Sequence, residues 1–351
     1  MLEQILVSVH TEQLDQDSII RLEKLVWGSA EEATQEYFQW LTYANPSGQS
    51  ITGVIKDDLG RVVSTHILVP LQVLIKGIPK LGGLSVNVVT HPDYRRKGLS
   101  RELAKVIYSE ARRLGIDFLI SVPNSMSHGL FTQKNHFKDL GKPSMLVRWI
   151  DPGILLEQRG LPRIGKSLSH LKKLTSRVWS QRLKNVALDQ QIELLKELNV
   201  RKLLEPVYFC LDITGTWLTW RYGEHPFRKY RCAILGEPKF LKALVIYQIL
   251  ESYNRALIME FLVSEEATLD DVQGLFDHVT KKCELAGCSS VYCLGVPNSR
   301  KVNLLKKSGF WNLPLNSVWR PQMVAKSFEP LPPEFSISFM DISYGALLNV
   351  E

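Results

Sequence analysis

The stretch Arg95-Arg96-Lys97-Gly98-Leu99-Ser100 combines three cations, a glycine and a small hydroxyl residue in six positions. The chemistry that suits is anion binding. It follows His91-Pro92-Asp93-Tyr94, where Pro92 lacks the N–H a sheet ladder needs and so ends the preceding strand. From Leu99 on, Leu99, Leu103, Val106, Ile107, Ala111 and Leu114 fall on one helical face. The stretch is therefore a loop running into a helix N-terminus. First-turn N–H groups there have no intrahelical partner, and the positive end of the helix dipole adds to them. Gly98 and Ser100 let a ligand come close to the backbone, and Arg95, Arg96, Lys97 and Arg101 add charge before the first acid, Glu102. A phosphate or pyrophosphate is the natural guest.

The elements that must hold this loop read as a mixed α/β fold. Ile5–Val9 is a short strand, Ser18–Trp27 and Ala30–Tyr43 carry helical spacing, and Ser50–Lys56 and Arg61–Ile75 alternate like antiparallel strands about the turn Asp57-Asp58-Leu59-Gly60. Leu84–Thr90 and Asp117–Val122 are strands on either side of the helix Leu99–Leu114, which Gly115 ends. Residues 84 to 122 thus form one βαβ unit in an otherwise antiparallel sheet.

Two landmarks recur in the same order. Trp40-Leu41-Thr42-Tyr43-Ala44-Asn45-Pro46 parallels Trp220-Arg221-Tyr222-Gly223-Glu224-His225-Pro226, and Val122-Pro123-Asn124-Ser125 returns as Val296-Pro297-Asn298-Ser299, with offsets of 180 and 174. Strands at Tyr230–Leu235, Ala243–Leu250, Leu257–Val263 and Ser290–Val296, with a helix at Leu269–Leu285, complete a second copy. The expected organisation is a duplicated chain: a first domain at 1–150, a helical linker at 151–205, a second domain at 206–326 and a proline-rich tail at 327–351. In the second copy the loop reads Val263-Ser264-Glu265-Glu266-Ala267-Thr268-Leu269-Asp270-Asp271, with no glycine and four acids. Those acids suit a helix start but repel a phosphate, so one anion site per chain is expected.

Composition sets the outer bounds. The chain has 351 residues, 45% hydrophobic and 23% charged, enough for about two globular domains. No run approaches the roughly 20 apolar residues of a membrane span, and the N-terminus lacks the pattern of a signal peptide. A cytoplasmic protein is expected. The net charge of +7 is local: eight Lys/Arg and no acid lie between Gln158 and Lys184, and the rest of the chain nets −1. This argues against a specific nucleic-acid binder. It leaves the segment 158–184, with Leu168, Leu171, Leu174, Val178 and Leu183 at helical spacing, open to an anionic membrane surface, an acidic protein or simple packing. Cys283, Cys288 and Cys293 match no common zinc spacing, so no metal is expected.

The run Val88-Val89-Thr90-His91-Pro92-Asp93-Tyr94-Arg95-Arg96-Lys97-Gly98-Leu99-Ser100 resembles the acyl-CoA motif of the GCN5-related N-acetyltransferases, the GNAT superfamily. Arg95, Gly98 and Ser100 take the key positions of its Arg/Gln-x-x-Gly-x-Gly/Ala pattern, with Ser100 in place of Gly or Ala. The resemblance implies two tandem GNAT-like domains, each a mixed, mostly antiparallel sheet flanked by helices, the second degenerate. It implies acetyl-CoA as co-substrate: Val88, Val89 and Thr90 would pair with the pantetheine arm, the backbone from Arg95 through Arg96, Lys97, Gly98 and Leu99 to Ser100 would hold the pyrophosphate, and Asn124 would lie beside the arm. A small-molecule or protein amine would attack the thioester directly. The family's acid, a tyrosine five residues before a phenylalanine, falls on Thr132, so Ser85, Asn87 and His128 are the catalytic candidates. Period-two alternation would put Ser85 and Asn87 on one face of their strand. Two other readings stay open: a non-catalytic module that binds acyl-CoA or a polyanion, and a tRNA-dependent aminoacyltransferase of the peptidoglycan-bridge kind.

Overall fold

In the computed structural model, the described residues are 2–8, 14–28, 30–151, 153, 187–204, 207–237, 240–313, 322–328 and 340–341. The basic segment 158–184 and the proline-rich run of the tail lie outside them. Among the described residues, no helix is long and apolar enough to cross a membrane.

The chain forms two compact units, neither continuous in sequence. The first comprises residues 1–142, 207–228 and 321–340, the second 143–206, 229–320 and 341–351. Its elements are, in chain order, β1 (Leu2–Ser8), α1 (Gln16–Trp27), α2 (Gln35–Thr42), β2 (Ile51–Asp57), β3 (Val62–Ile75), β4 (Ile78–Thr90), α3 (Leu99–Arg113), β5 (Ile116–Ser121), β6 (Lys138–Gly141), β7 (Ser144–Trp149), β8 (Ala187–Gln190), β9 (Phe209–Leu211), β10 (Arg231–Leu235), β11 (Ala243–Leu250), β12 (Arg255–Val263), α4 (Leu269–Leu285), β13 (Ser290–Gly295), α5 (Arg300–Lys307), β14 (Trp311–Asn312) and β15 (Met323–Ser327).

The first sheet runs β1-β2-β3-β4-β5-β15-β6 and the second β14-β7-β13-β12-β11-β10-β8. Each is mixed: β4 pairs with β5 in parallel, as β12 does with β13, and the other pairs named here are antiparallel. The expected fold class stands. The expected boundaries do not, because the sheets trade strands. β7, from the first half of the chain, lies between β13 and β14, while β15, from the second half, lies between β5 and β6. The segment 207–228 also joins the first unit. Alternation along a strand says which face is apolar but not which sheet the strand joins. The span 151–205 is not helical throughout either: β8 pairs with β10 and short 3-10 turns follow at Ile192–Glu197 and Arg201–Leu203.

The first core lies between the sheet and α3, where Leu99, Leu103, Ala104, Ile107 and Ala111 meet Ile51, Ile55, Leu68, Ile116 and Leu119. A Cβ on Gly53 would come within 2.8 Å of Leu103 and Ile107, so a side chain on β2 there would make those two residues of α3 shift. α1 lies against β3 and β4. The second core, between its sheet and α4, gathers Val245, Tyr247, Phe261, Val272, Leu275, Phe276 and Val279.

The repeated tryptophan segments meet within the first unit. Trp40 Nε1 donates to Trp220 O at 3.0 Å and Trp220 Nε1 to Trp40 O at 3.3 Å, with the rings stacked at 4.9 Å. Each segment starts with a threonine cap: Thr34 accepts from Tyr37 N and Thr214 from Trp217 N. A buried indole needs a partner for its N–H, and here each supplies the other's.

Candidate functional site

The junction between β4 and α3 is built to present backbone N–H groups. His91 caps the turn Pro92–Tyr94. Arg96 has φ 63° and Gly98 φ 81°. A Cβ on Gly98 would touch nothing within 4 Å, so backbone conformation, not crowding, calls for glycine there. Among the described residues, the first helix bonds come from Arg101 and Glu102, which donate to Gly98 O at 3.0 and 3.1 Å, and no side chain caps the turn. The N–H groups of Gly98, Leu99 and Ser100 are left for a ligand.

The loop is tethered from behind. Tyr94 OH donates to Asp57 Oδ2 at 2.9 Å, and Arg61 pairs with the same carboxylate at 2.7 Å. Lys97 Nζ lies 4.4 Å over the Tyr94 ring, Arg95 Nε donates to Thr90 O at 3.3 Å, and the Thr90 and Ser100 hydroxyls are 2.9 Å apart. Arg95, Arg96, Lys97 and Arg101 are exposed, and Leu99 is buried as the anchor of the helix. A phosphate at this turn would meet several of these exposed cations at once, with an attraction that salt screens.

Beside this turn the sheet opens. The parallel pairing of β4 and β5 ends at Leu84 and Ile120. Ser121 Oγ then donates to Ser85 O at 2.9 Å as the strands part, and among the described residues no strand pairs with Val88, Val89 and Thr90 on that side. Such a splay accepts an extended chain by its backbone groups.

Within it, β4 carries a bulge. The register with β3 shifts between Val89–Thr65 and Val86–Ile67, and Asn87 has φ 49°. The extra residue overturns the expectation that Ser85 and Asn87 share a face. Ser85 turns toward α3: its hydroxyl lies 2.6 Å from His66 Nε2 and 3.5 Å from Tyr108 OH, all three buried. Asn87 turns toward α1, where its amide donates to Glu23 Oε1 at 3.0 Å. Burial holds His66 neutral, down to about 3.

Sequence reading passed over Glu23 and His66. Glu23 is completely buried, and among the described residues neither its Oε2 nor His66 Nδ1 has a hydrogen-bond partner. Burial raises the Glu23 carboxyl to about 8, against the pull of the Asn87 hydrogen bond. The available signal was a lone acid at a position where the helix spacing of α1 faces inward: Ile19, Ile20 and Leu22 are buried beside it.

The other candidates lie further along the chain. Asn124 Oδ1 accepts from Met126 N at 3.1 Å and from Ser127 N at 3.0 Å, so its side chain is used in closing a turn. His128 Nε2 lies 3.1 Å from Asp139 Oδ2. Thr132 Oγ1 donates to His128 O at 2.9 Å.

Residues 10–132, which hold the open turn, the splay and the bulge, match the family model described as an acetyltransferase (GNAT) domain. This segment is a GNAT domain. Solved structures that resemble this chain in fold include a conserved protein of unknown function, a probable N-acyltransferase, from Enterococcus faecalis V583 (13% identity, TM-score 0.60, 92% of this chain and 72% of that one), and GCN5-related N-acetyltransferases from Kribbella flavida (12%, 0.63, 92% and 71%) and Anabaena variabilis ATCC 29413 (10%, 0.58, 92% and 73%). No curated protein matches the sequence. The GNAT segment covers the βαβ unit of the first sheet and ends before the residues that β15 and β6 contribute to it.

Proposed function

We propose that the chain is an N-acyltransferase that moves an acetyl group from acetyl-CoA to a primary amine by direct attack. The observation that carries this reading is the open N-terminus of α3 beside the parted strands β4 and β5. The N–H groups of Gly98, Leu99 and Ser100, with Arg95, Arg96 and Lys97 around them, suit a pyrophosphate. Val88 to Thr90 suit the pantetheine arm. On this reading the arm runs from the turn back along β4, so three strand residues, about 10 Å, bring its reactive end toward the bulge at Asn87. The protein then works mostly by positioning: the thioester is held in the splay and the amine is delivered to it, with no covalent enzyme intermediate. Ser85, Asn87 and His128 remain candidates for polar contact with the reactants. The acceptor is a small-molecule or protein amine, and the cytoplasm is the proposed location. The segment 158–184 is proposed as a contact for an anionic membrane surface or an acidic protein.

Calorimetry with acetyl-CoA on the wild type and on Gly98→Glu tests the donor site. A side chain at φ 81° is strained by about 1–2 kcal/mol and the carboxylate repels phosphate by about 1 kcal/mol or more at 4 Å. Affinity is expected to fall about 100-fold, with one site per wild-type chain. A wild type that binds no acetyl-CoA ends the reading.

A further inference from the structure

The geometry points to Glu23 as the general base that takes a proton from the acceptor's ammonium, an inference that rests on the acyl-CoA reading above. The bulge puts the two sides of β4 to different uses. Ser85, His66 and Tyr108 close a hydrogen-bonded cluster against α3, the helix whose N-terminus would hold the donor. On this reading the amine reaches the thioester from the α1 side, where the Asn87 side chain leaves the strand and donates to Glu23 Oε1 at 3.0 Å. One oxygen of that carboxyl is held by Asn87. The other, Oε2, is buried and has no hydrogen-bond partner among the described residues.

An orphaned buried carboxyl oxygen is costly, and a positively charged N–H donor is the group that would satisfy it best. Among the described residues, the groups that bear on Glu23 are Asn87 of β4 and Glu32 of the turn after α1. Glu32 pushes the carboxyl up, but is itself held by Arg228 NH2 at 3.4 Å, and Arg228 Nε also reaches Glu31 at 3.1 Å. No cation among these neighbours pairs with Glu23, which leaves that role to the substrate. A carboxyl poised near 8 suits a base that works close to neutral pH.

The step balances without a further reactant. The ammonium N–H proton passes to Glu23 Oε2. The freed lone pair forms the C–N bond at the thioester carbon, the C–S bond breaks with its electron pair on sulfur, and the second proton lost by nitrogen ends on the thiolate. Glu23 returns its proton to water.

The test compares wild type, Glu23→Gln and Glu23→Asp by acetyl-CoA calorimetry and by thiol release with spermidine, glucosamine, tyramine and lysine over pH 6 to 9. Acetyl-CoA affinity is expected to stay within about twofold in all three, since the donor site lies elsewhere. In Glu23→Gln, kcat should fall about 100-fold and lose the pH limb near 8, with partial recovery in Glu23→Asp at a shifted limb. Thermal melts give a second readout. A carboxyl raised on folding stabilises fully below its unfolded value and loses that contribution as pH rises through about 8, so the wild-type Tm should fall relative to Glu23→Gln between pH 6 and 9. Wild-type rates and pH profile in Glu23→Gln overturn the assignment. So does a wild type that binds acetyl-CoA yet acylates none of the four amines. If acetyl-CoA itself does not bind, the donor reading falls and takes this one with it.

Discussion

The junctions β4–α3 and β12–α4 occupy the same place in two sheets of like topology, and they end in opposite ways. At the first, Gly98 caps α3 with backbone alone and the first-turn N–H groups stay open. At the second, Thr268 caps α4 in a capping box: its hydroxyl accepts from Asp271 N at 3.1 Å and its N–H donates to Asp271 Oδ2 at 3.1 Å. Lys242 then ties Asp271 at 3.3 Å. The strand pairing of β12 with β13 also stops early, at Ile258 and Cys293, but the end of β12 is already engaged. Arg300 of α5 donates to Ser264 O at 2.8 Å and to Val263 O at 3.4 Å. The same backbone plan therefore leaves first-turn donors open at one junction and closes them with side chains at the other. A capping box and a phosphate compete for the same N–H groups.

The tryptophan segments are the counter-case, since there the two copies stay alike. Each indole satisfies the other's backbone carbonyl, so neither can change alone. Trp40→Ala and Trp220→Ala should each destabilise the first unit by about 3–5 kcal/mol, measured by urea unfolding. Equal losses, with a double mutant that costs less than their sum, are what a reciprocal pair requires. Losses that differ by more than about 2 kcal/mol would show that only one of the segments holds the other.

Thr268→Ala should cost about 1 kcal/mol of stability through the lost cap, read as a lower Tm, and leave acetyl-CoA affinity unchanged. A second acetyl-CoA bound per chain after this change would mean that the capping box alone closes the second junction. No second site is expected, because Arg300 still holds the end of β12 and Glu265 and Glu266 still repel phosphate.

What could be read from the sequence follows the range of the interactions. The turn at Arg95 to Ser100 was legible because glycine, proline and charge act within a few residues of chain. The helix α3 and the strands flanking it were legible from period alone, and the acids of the second junction pointed to a helix start that side chains cap. The exchange of β7 and β15 was not legible, since an alternating strand fits either sheet equally well. The bulge at Asn87 was not legible either, and it misdirected the reading of Ser85 and Asn87 by one step of the pleat. Glu23 was missed for a related reason. An acid on an amphipathic helix is normally solvated, and the packing of α1 on β3, β4 and its other neighbours buries this one. The repeated Pro-Asn-Ser has a local use in both copies: Asn124 closes its own turn, and in the second copy Ser299 caps α5 by accepting from Val302 N at 3.2 Å.

The smallest effect sharpens the contrast between the junctions most finely. Arg96 is exposed and already at φ 63°, so Arg96→Gln removes one charge from the first junction without changing the conformation asked of the backbone. An exposed cation beside an exposed phosphate contributes at most about 1 kcal/mol, screened over roughly 10 Å at 0.1 M salt. Acetyl-CoA affinity should therefore drop about two- to fivefold at low salt and converge on wild type near 1 M. The matching change at the second junction, Glu265→Gln, removes a charge of the opposite sign and should leave affinity unchanged at every salt concentration. A salt-independent loss in Arg96→Gln would mean that the guanidinium holds the loop rather than the ligand, and the site would then rest on the open N–H groups of Gly98, Leu99 and Ser100 alone.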